Sequence, residues 1–143
     1  MTDALPPGAA GGPLFRPWRG TAADLVEAVV SQAPVWWLRG SRMRTRQGLM
    51  DEWAAAAQFP PHFGGTWDAL RDALADLPEG GTFLVLDAEA LLRDAPPQDV
   101  ATLWAVLRDV QQDLAPRPLL VVLQAEPERY GTLVQGLLAL GVD

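Results

Sequence analysis

Three short runs of bulky apolar residues constrain the fold of this chain more than any other feature. They are VWWLR at 35–39, TFLVL at 82–86 and LLVVL at 119–123. Each is too short for an ordinary helix, and none alternates apolar with polar residues. Continuous apolar strands of this kind are buried on both faces, as in parallel sheets covered by helices. The segments between the runs have helical spacing. The expectation is therefore an α/β domain with a three-stranded parallel sheet, right-handed crossovers and helices on both faces.

Local signals place those helices. Thr21 with Asp24 makes a capping-box-like start, and Leu25, Val26, Val29 and Val30 form an apolar stripe that Pro34 closes. Thr45 can cap a second helix that turns Leu49, Met50, Trp53, Ala54, Ala57 and Phe59 toward the core. Residues 88–93 read as a short helix or turn, broken by Pro96 and Pro97. A longer helix over 100–114 places Leu103, Trp104, Leu107 and Val110 inside. Pro127 precedes a last helix over 128–140, with Leu133, Val134, Leu137 and Leu138 apolar. Asp87, just past the second run, is placed to cap the turn that follows. Residues 1–17 are rich in Gly, Pro and Ala and read as a flexible arm, with Phe15 and Trp18 tacking its end onto a single domain over 18–143.

The stretch richest in functional signal is QFPPHFGGTWDALRDALADLPE, residues 58–79. Pro60 and Pro61 forbid helix, and Gly64 and Gly65 permit backbone angles that other residues resist. Thr66 is an N-cap, Trp67, Leu70, Leu74 and Leu77 form the apolar stripe, and Pro78 ends the helix. Asp68, Asp72 and Asp76 are four residues apart, so they share one face. Neighbouring carboxylates at that spacing repel by about a few tenths of a kcal/mol. Arg71 can offset this by pairing with Asp68 three residues away. The turn is expected to present His62 and Phe63 beside the acids, an aromatic and acidic surface suited to a basic, concave partner.

Composition removes most other chemistries. There is no cysteine, and His62 is the only histidine. Disulfides, thiolate metal sites and multi-histidine zinc sites are excluded, and any Ser-His-Asp arrangement would have to use His62. No phosphate-binding loop, nucleophile elbow or dinucleotide fingerprint is present. A carboxylate metal site from Asp68, Asp72 and Asp87 is the remaining enzymatic option. The net charge of -7 makes nucleic acid or an anionic membrane a poor partner and a basic protein a good one. The one basic cluster, Arg39, Arg42, Arg44 and Arg46, lacks interleaved aromatics and reads as a solvated loop paired with carboxylates. The first residues lack the basic start and apolar centre of a secretory signal, and a cytoplasmic location is expected.

The pattern F-G-x-x-W-D-A-L-x-D-x-L, from Phe63 and Gly64 through Asp68, Ala69, Leu70 and Asp72 to Leu74, resembles the barstar family, with Pro60 and His62 in the turn before it. These are intracellular protein inhibitors of secreted ribonucleases such as barnase. The resemblance covers residues 35–124, and it leaves helices at both ends as additions to the family's domain. It implies that the helix after the turn covers the enzyme's active site. Asp72 matches the aspartate that takes the place of the substrate phosphate, and Asp68 matches a second acidic contact. His62 stands where the family has an aromatic contact, and Thr66 and Ala69 match further interface positions. Phe63, Arg71 and Asp76 complete the candidate binding face. Arg71 departs from the family by replacing a tryptophan, Leu77 or a neighbour replaces another aromatic, and Asp99 is the candidate match for an acid later in the family pattern. The resemblance implies a partner-binding protein, monomeric when free, without catalytic residues, metal or cofactor. Its partner is a ribonuclease or similar basic nuclease toxin. The alternative is a barstar-fold interaction module with a non-nuclease partner.

Overall fold

The computed structural model describes residues 14–29 and 34–139. Residues 1–13, 30–33 and 140–143 lie outside them, and with them most of the expected arm, Val30 and the end of the last helix. The strands are β1 (Phe15–Arg19), β2 (Val35–Arg39), β3 (Gly81–Leu86) and β4 (Leu119–Ala125). The helices are α1 (Ala22–Ala28), α2 (Arg46–Ala57), α3 (Trp67–Ala75), α4 (Pro97–Leu114) and α5 (Pro127–Ala139), with 3-10 turns at Gly40–Arg42 and Ala88–Ala90.

The fold is α/β with a parallel sheet, but the sheet has four strands rather than the expected three, in the order β1-β4-β3-β2. The fourth is β1, with Phe15 opposite Val121 and Arg19 opposite Ala125. It includes residues 15–17, which the sequence reading assigned to the arm. A proline among arginines gives no strand pattern of its own. Pro17 is tolerated because β1 lies at the sheet edge, where a missing N–H need not break a ladder.

Alternate strand residues face two different layers. Phe83, Val85, Val121 and Leu123 pack against α2 to α5, including Trp53, Leu70, Leu74 and Leu107. Leu84, Leu120 and Val122 face the other way, against Trp18 and the α1 residues Leu25 and Ala28. The added N-terminal helix is thus the cover of the second sheet face. Burying that apolar face is what stabilises a parallel sheet.

Some expected core positions are outside. Val26 is 47% exposed and Leu138 is 66% exposed. Leu25 and Ala28 suffice for α1, and Leu133 and Leu137 for α5, because each helix buries a single narrow stripe. Asp87 also departs from expectation. Its backbone is left-handed and its side chain caps nothing. Its Oδ1 instead accepts from Arg129 Nη2 at 3.4 Å, while its N–H donates to the buried Gln124 Oε1 at 2.9 Å.

Several restraints fix α3 at the domain surface. Leu70 and Leu74 are fully buried on its inner side. Arg117 Nη1 donates to the Leu77 carbonyl at 2.8 Å, which ties the end of the α3 segment to the end of α4. Gly80, with φ +69°, and Gly81 then carry the chain into β3. A Cβ at Gly80 would run into the Pro118 backbone, and one at Gly81 into the Trp36 ring.

Candidate functional site

Helix α2 stops at Gln58, whose left-handed backbone turns the chain sharply. The Phe59 N–H still reaches the Ala54 carbonyl at 3.0 Å, and the Phe63 N–H closes the next turn on Pro60 at 2.9 Å. The rings of Phe59 and Phe63 lie 5.0 Å apart and both pack on the core. Phe63 is therefore half-buried, whereas His62 is exposed. Gly65 takes φ +68°, and Thr66 follows as the N-cap, its Oγ1 accepting from the Ala69 N–H at 3.1 Å.

A groove of 420 Å³ lies between this turn and α3. His62, Phe63 and Gly64 line it from the turn, and Ala69, Asp72, Ala73 and Asp76 from the helix segment. Ala69 and Ala73 are half-buried, whereas Asp72 and Asp76 are exposed. Small side chains make the floor and carboxylates the rim. Ala73 and Gln58 were not singled out from the sequence, although Ala69 and Ala73 stand at the four-residue spacing that puts them on one face.

Of the candidate residues, the structure gathers His62, Phe63, Ala69, Asp72 and Asp76 around this groove. Thr66, Asp68 and Arg71 lie beyond its lining. The Thr66 hydroxyl is engaged in the cap. Asp68 is exposed in the first turn of α3, beside the groove and on the same row as Asp72. Arg71 does not make the expected pair with Asp68. Its Nη2 lies 2.9 Å from Asp113 Oδ2, its Nε 3.8 Å from Asp109 Oδ2 and its Nη1 3.8 Å from Asp72 Oδ1. Two carboxylates on α4 outcompete one on its own helix. Asp72, Asp109 and Asp113 therefore surround one guanidinium, and Asp68 and Asp76 continue the acidic row along the α3 segment. Asp109 and Asp113 were legible only as a same-face pair; that they face α3 depends on helix packing.

The remaining sequence candidates lie elsewhere. Asp99 lines a separate hollow with Thr45 and Asp94. Within the arginine cluster, Arg44 Nε donates to Asp94 Oδ2 at 2.7 Å. That hydrogen bond holds the Asp94 carboxyl below its ordinary value, and slight burial opposes it. Among the described residues no group of three or more His, Asp or Glu is placed to hold a metal ion. Nor is any helix among them long and apolar enough to cross a membrane.

No curated protein matches the chain. A family model described as Barstar (barnase inhibitor) matches residues 33–126. The match takes in β2 through β4, the turn, α3 and α4, and leaves β1, α1 and α5 outside. With more than half of its residues matched, and the groove within the matched stretch, the chain belongs to the Barstar family.

Proposed function

We propose that this protein inhibits a ribonuclease or a similar basic nuclease toxin by covering the enzyme's active site with α3 and the preceding turn. The observation that carries this reading is the acidic rim of the groove. The Asp72 side chain is 78% exposed. It lies beyond the first helical turn, so the helix N-terminus gives it no support. Asp76 sits at the C-terminal end of α3, where the helix dipole disfavours an acid. Beyond the weak, exposed contact of Asp72 with Arg71, the helix gains nothing from either residue, and their value lies in a partner.

In this reading Asp72 takes the place of the substrate phosphate and meets the enzyme's cationic residues. Asp68 and Asp76 extend the contact along the row. The alanine floor lets a partner side chain approach closely, and His62 and Phe63 supply the wall. Thr66 acts indirectly, by fixing the start of α3. Arg71 is held chiefly by Asp113 on α4 at 2.9 Å, and its longer 3.8 Å contact leaves the Asp72 carboxylate largely exposed. The acidic surface accelerates encounter with a basic enzyme through long-range attraction. The protein acts in the cytoplasm, as a monomer when free, and contributes no catalytic group, metal or cofactor.

The direct test is titration of a barnase-type ribonuclease with this protein while RNA cleavage is followed. Stoichiometric inhibition that weakens with salt is expected. A basic non-nuclease protein that binds the same groove, with every tested nuclease left active, would replace this reading with that of an interaction module.

A further inference from the structure

We propose that Asp113 on α4, supported by Asp109 one turn before it, is a positioning residue for inhibition. By holding the Arg71 guanidinium across the seam between α3 and α4, it keeps the Asp72 carboxylate available to the partner's cations. This role rests on the reading of α3 as the inhibitory helix, and it belongs to carboxylates outside the groove lining.

Arg71 stands between acids on two helices. Asp72, its neighbour on α3, has Oδ1 3.8 Å from Nη1. On α4, Asp113 Oδ2 lies 2.9 Å from Nη2 and Asp109 Oδ2 lies 3.8 Å from Nε. Only the Asp113 contact is short enough to be a hydrogen bond. Asp113 therefore decides where the guanidinium sits, and the other two acids feel its charge at longer range. A guanidinium is a planar fork that can grip one carboxylate with two parallel hydrogen bonds. With both α4 acids gone, Asp72 is the carboxylate left beside it. A full grip on Asp72 would neutralise the residue that stands in for the substrate phosphate.

Neither helix needs this pair. Asp113 sits in the last turn of α4, where the helix dipole disfavours an acid, and Asp109 four residues earlier repels it. The two helices are joined by other means. Leu70 and Leu74 are buried in one core with Leu107, Val110 and Leu114. Arg117 Nη1 also donates to the Leu77 carbonyl at 2.8 Å. Arg71 and Asp113 are both well exposed, so their pair adds little to stability. What Asp113 does is place a cation.

The experiment is a cycle on the full chain: Arg71→Gln, the pair Asp109→Ala with Asp113→Ala, and all three together. Inhibition of a barnase-type ribonuclease is measured at physiological ionic strength, with urea unfolding as the control. Alanine favours helix at both α4 sites, so the fold should survive. The paired α4 change should weaken inhibition at least about tenfold when Arg71 is present. In the Arg71→Gln background it should weaken inhibition by less than about threefold. Loss of two negative charges slows encounter in both backgrounds, so the difference between them reports the holding of Arg71. A crystal structure of the paired variant should show the guanidinium hydrogen-bonded to Asp72. An equal loss in both backgrounds overturns the role, because the α4 acids would then meet the partner themselves. Weaker inhibition by Arg71→Gln alone, or a guanidinium still away from Asp72 in the paired variant, overturns it as well. A wild type that inhibits no nuclease removes the inhibitory reading of α3 and this role with it, whereas the other outcomes strike this role alone.

Discussion

Arg71 on α3 directs its guanidinium to Asp113 on α4, with Nη2 2.9 Å from Oδ2. The one cation on the exposed side of α3 is thereby drawn across to the neighbouring helix. It shares its charge among Asp113, Asp109 and Asp72, and the surface stays acidic around it.

This pairing contributes little to stability. Arg71 is 39% exposed and Asp113 48% exposed, and exposed ion pairs are worth about 0–1 kcal/mol. Arg71→Ala is expected to lower the unfolding free energy by less than about 1 kcal/mol. In stopped-flow mixing with a cognate nuclease the same change should speed association, because it removes a positive charge from an acidic face. Slower association would mean that Arg71 itself contacts the partner.

Asp72 should behave in the opposite way. Asp72→Ala is expected to leave urea unfolding unchanged or to shift it slightly upward, since Ala is the better helix former and only a weak ion pair is lost. Binding to the nuclease should weaken by more than about 2 kcal/mol, the general hot-spot threshold, for which barnase–barstar is itself a reference example. Asp68→Ala should weaken it less, and added salt should slow association of the wild type. Loss of stability with intact binding would make Asp72 structural.

The tryptophans provide an internal comparison. Trp53 is 1% exposed at the centre of the core, whereas Trp67 is half-buried at its margin. Trp53→Ala should cost about 3–5 kcal/mol in chemical unfolding, and Trp67→Ala less than that. An equal cost at both sites would show that Trp67 is tied into the core as fully as Trp53.

Gly65 and Gly80 share a left-handed backbone but not its surroundings. A Cβ at Gly65 meets nothing within 4 Å, while one at Gly80 meets the Pro118 backbone. Gly65→Ala should cost about 1–2 kcal/mol, the price of the left-handed conformation alone. Gly80→Ala should cost clearly more, because backbone cannot move aside as a flexible side chain can. Thermal unfolding of the two variants under one condition checks the order.

Asp94 predicts a feature of the acid limb. Its folded pKa is lowered chiefly by the hydrogen bond from Arg44. A depressed carboxyl adds stability that is fully present above the unfolded value of about 3.9 and is lost as pH falls through the folded value. Asp94→Asn should therefore be less stable than wild type near neutrality, and the two should converge in strong acid. A gap that stays constant across a pH series of urea unfolding curves would assign the loss to packing instead.

The strands β2, β3 and β4 and the start of α3 were legible because their causes are local. A run such as LLVVL is too apolar to lie anywhere but inside, and Thr66 needs only the next few N–H groups to act as a cap. The acidic row of Asp68, Asp72 and Asp76 follows from helical periodicity alone. The turn was legible from Pro60, Pro61, Gly64 and Gly65, although the inward packing of Phe63 on Phe59 was not.

Sequence alone therefore determined the parallel α/β core, the capped helix and the side of it that carries the acids. Tertiary structure decided the rest, because the deciding partners are distant in the chain. β1 is a strand only because it pairs with β4, which lies about a hundred residues further on: Phe15 is opposite Val121. Arg71 turned from Asp68 to Asp113 because helix packing brought a carboxylate 42 residues away within 2.9 Å. Glu89 and Trp104 line one cavity because the 3-10 turn after β3 and α4 meet at the end of the sheet. Local preferences choose the elements, whereas the pairing of polar and apolar groups across elements is settled when the core closes.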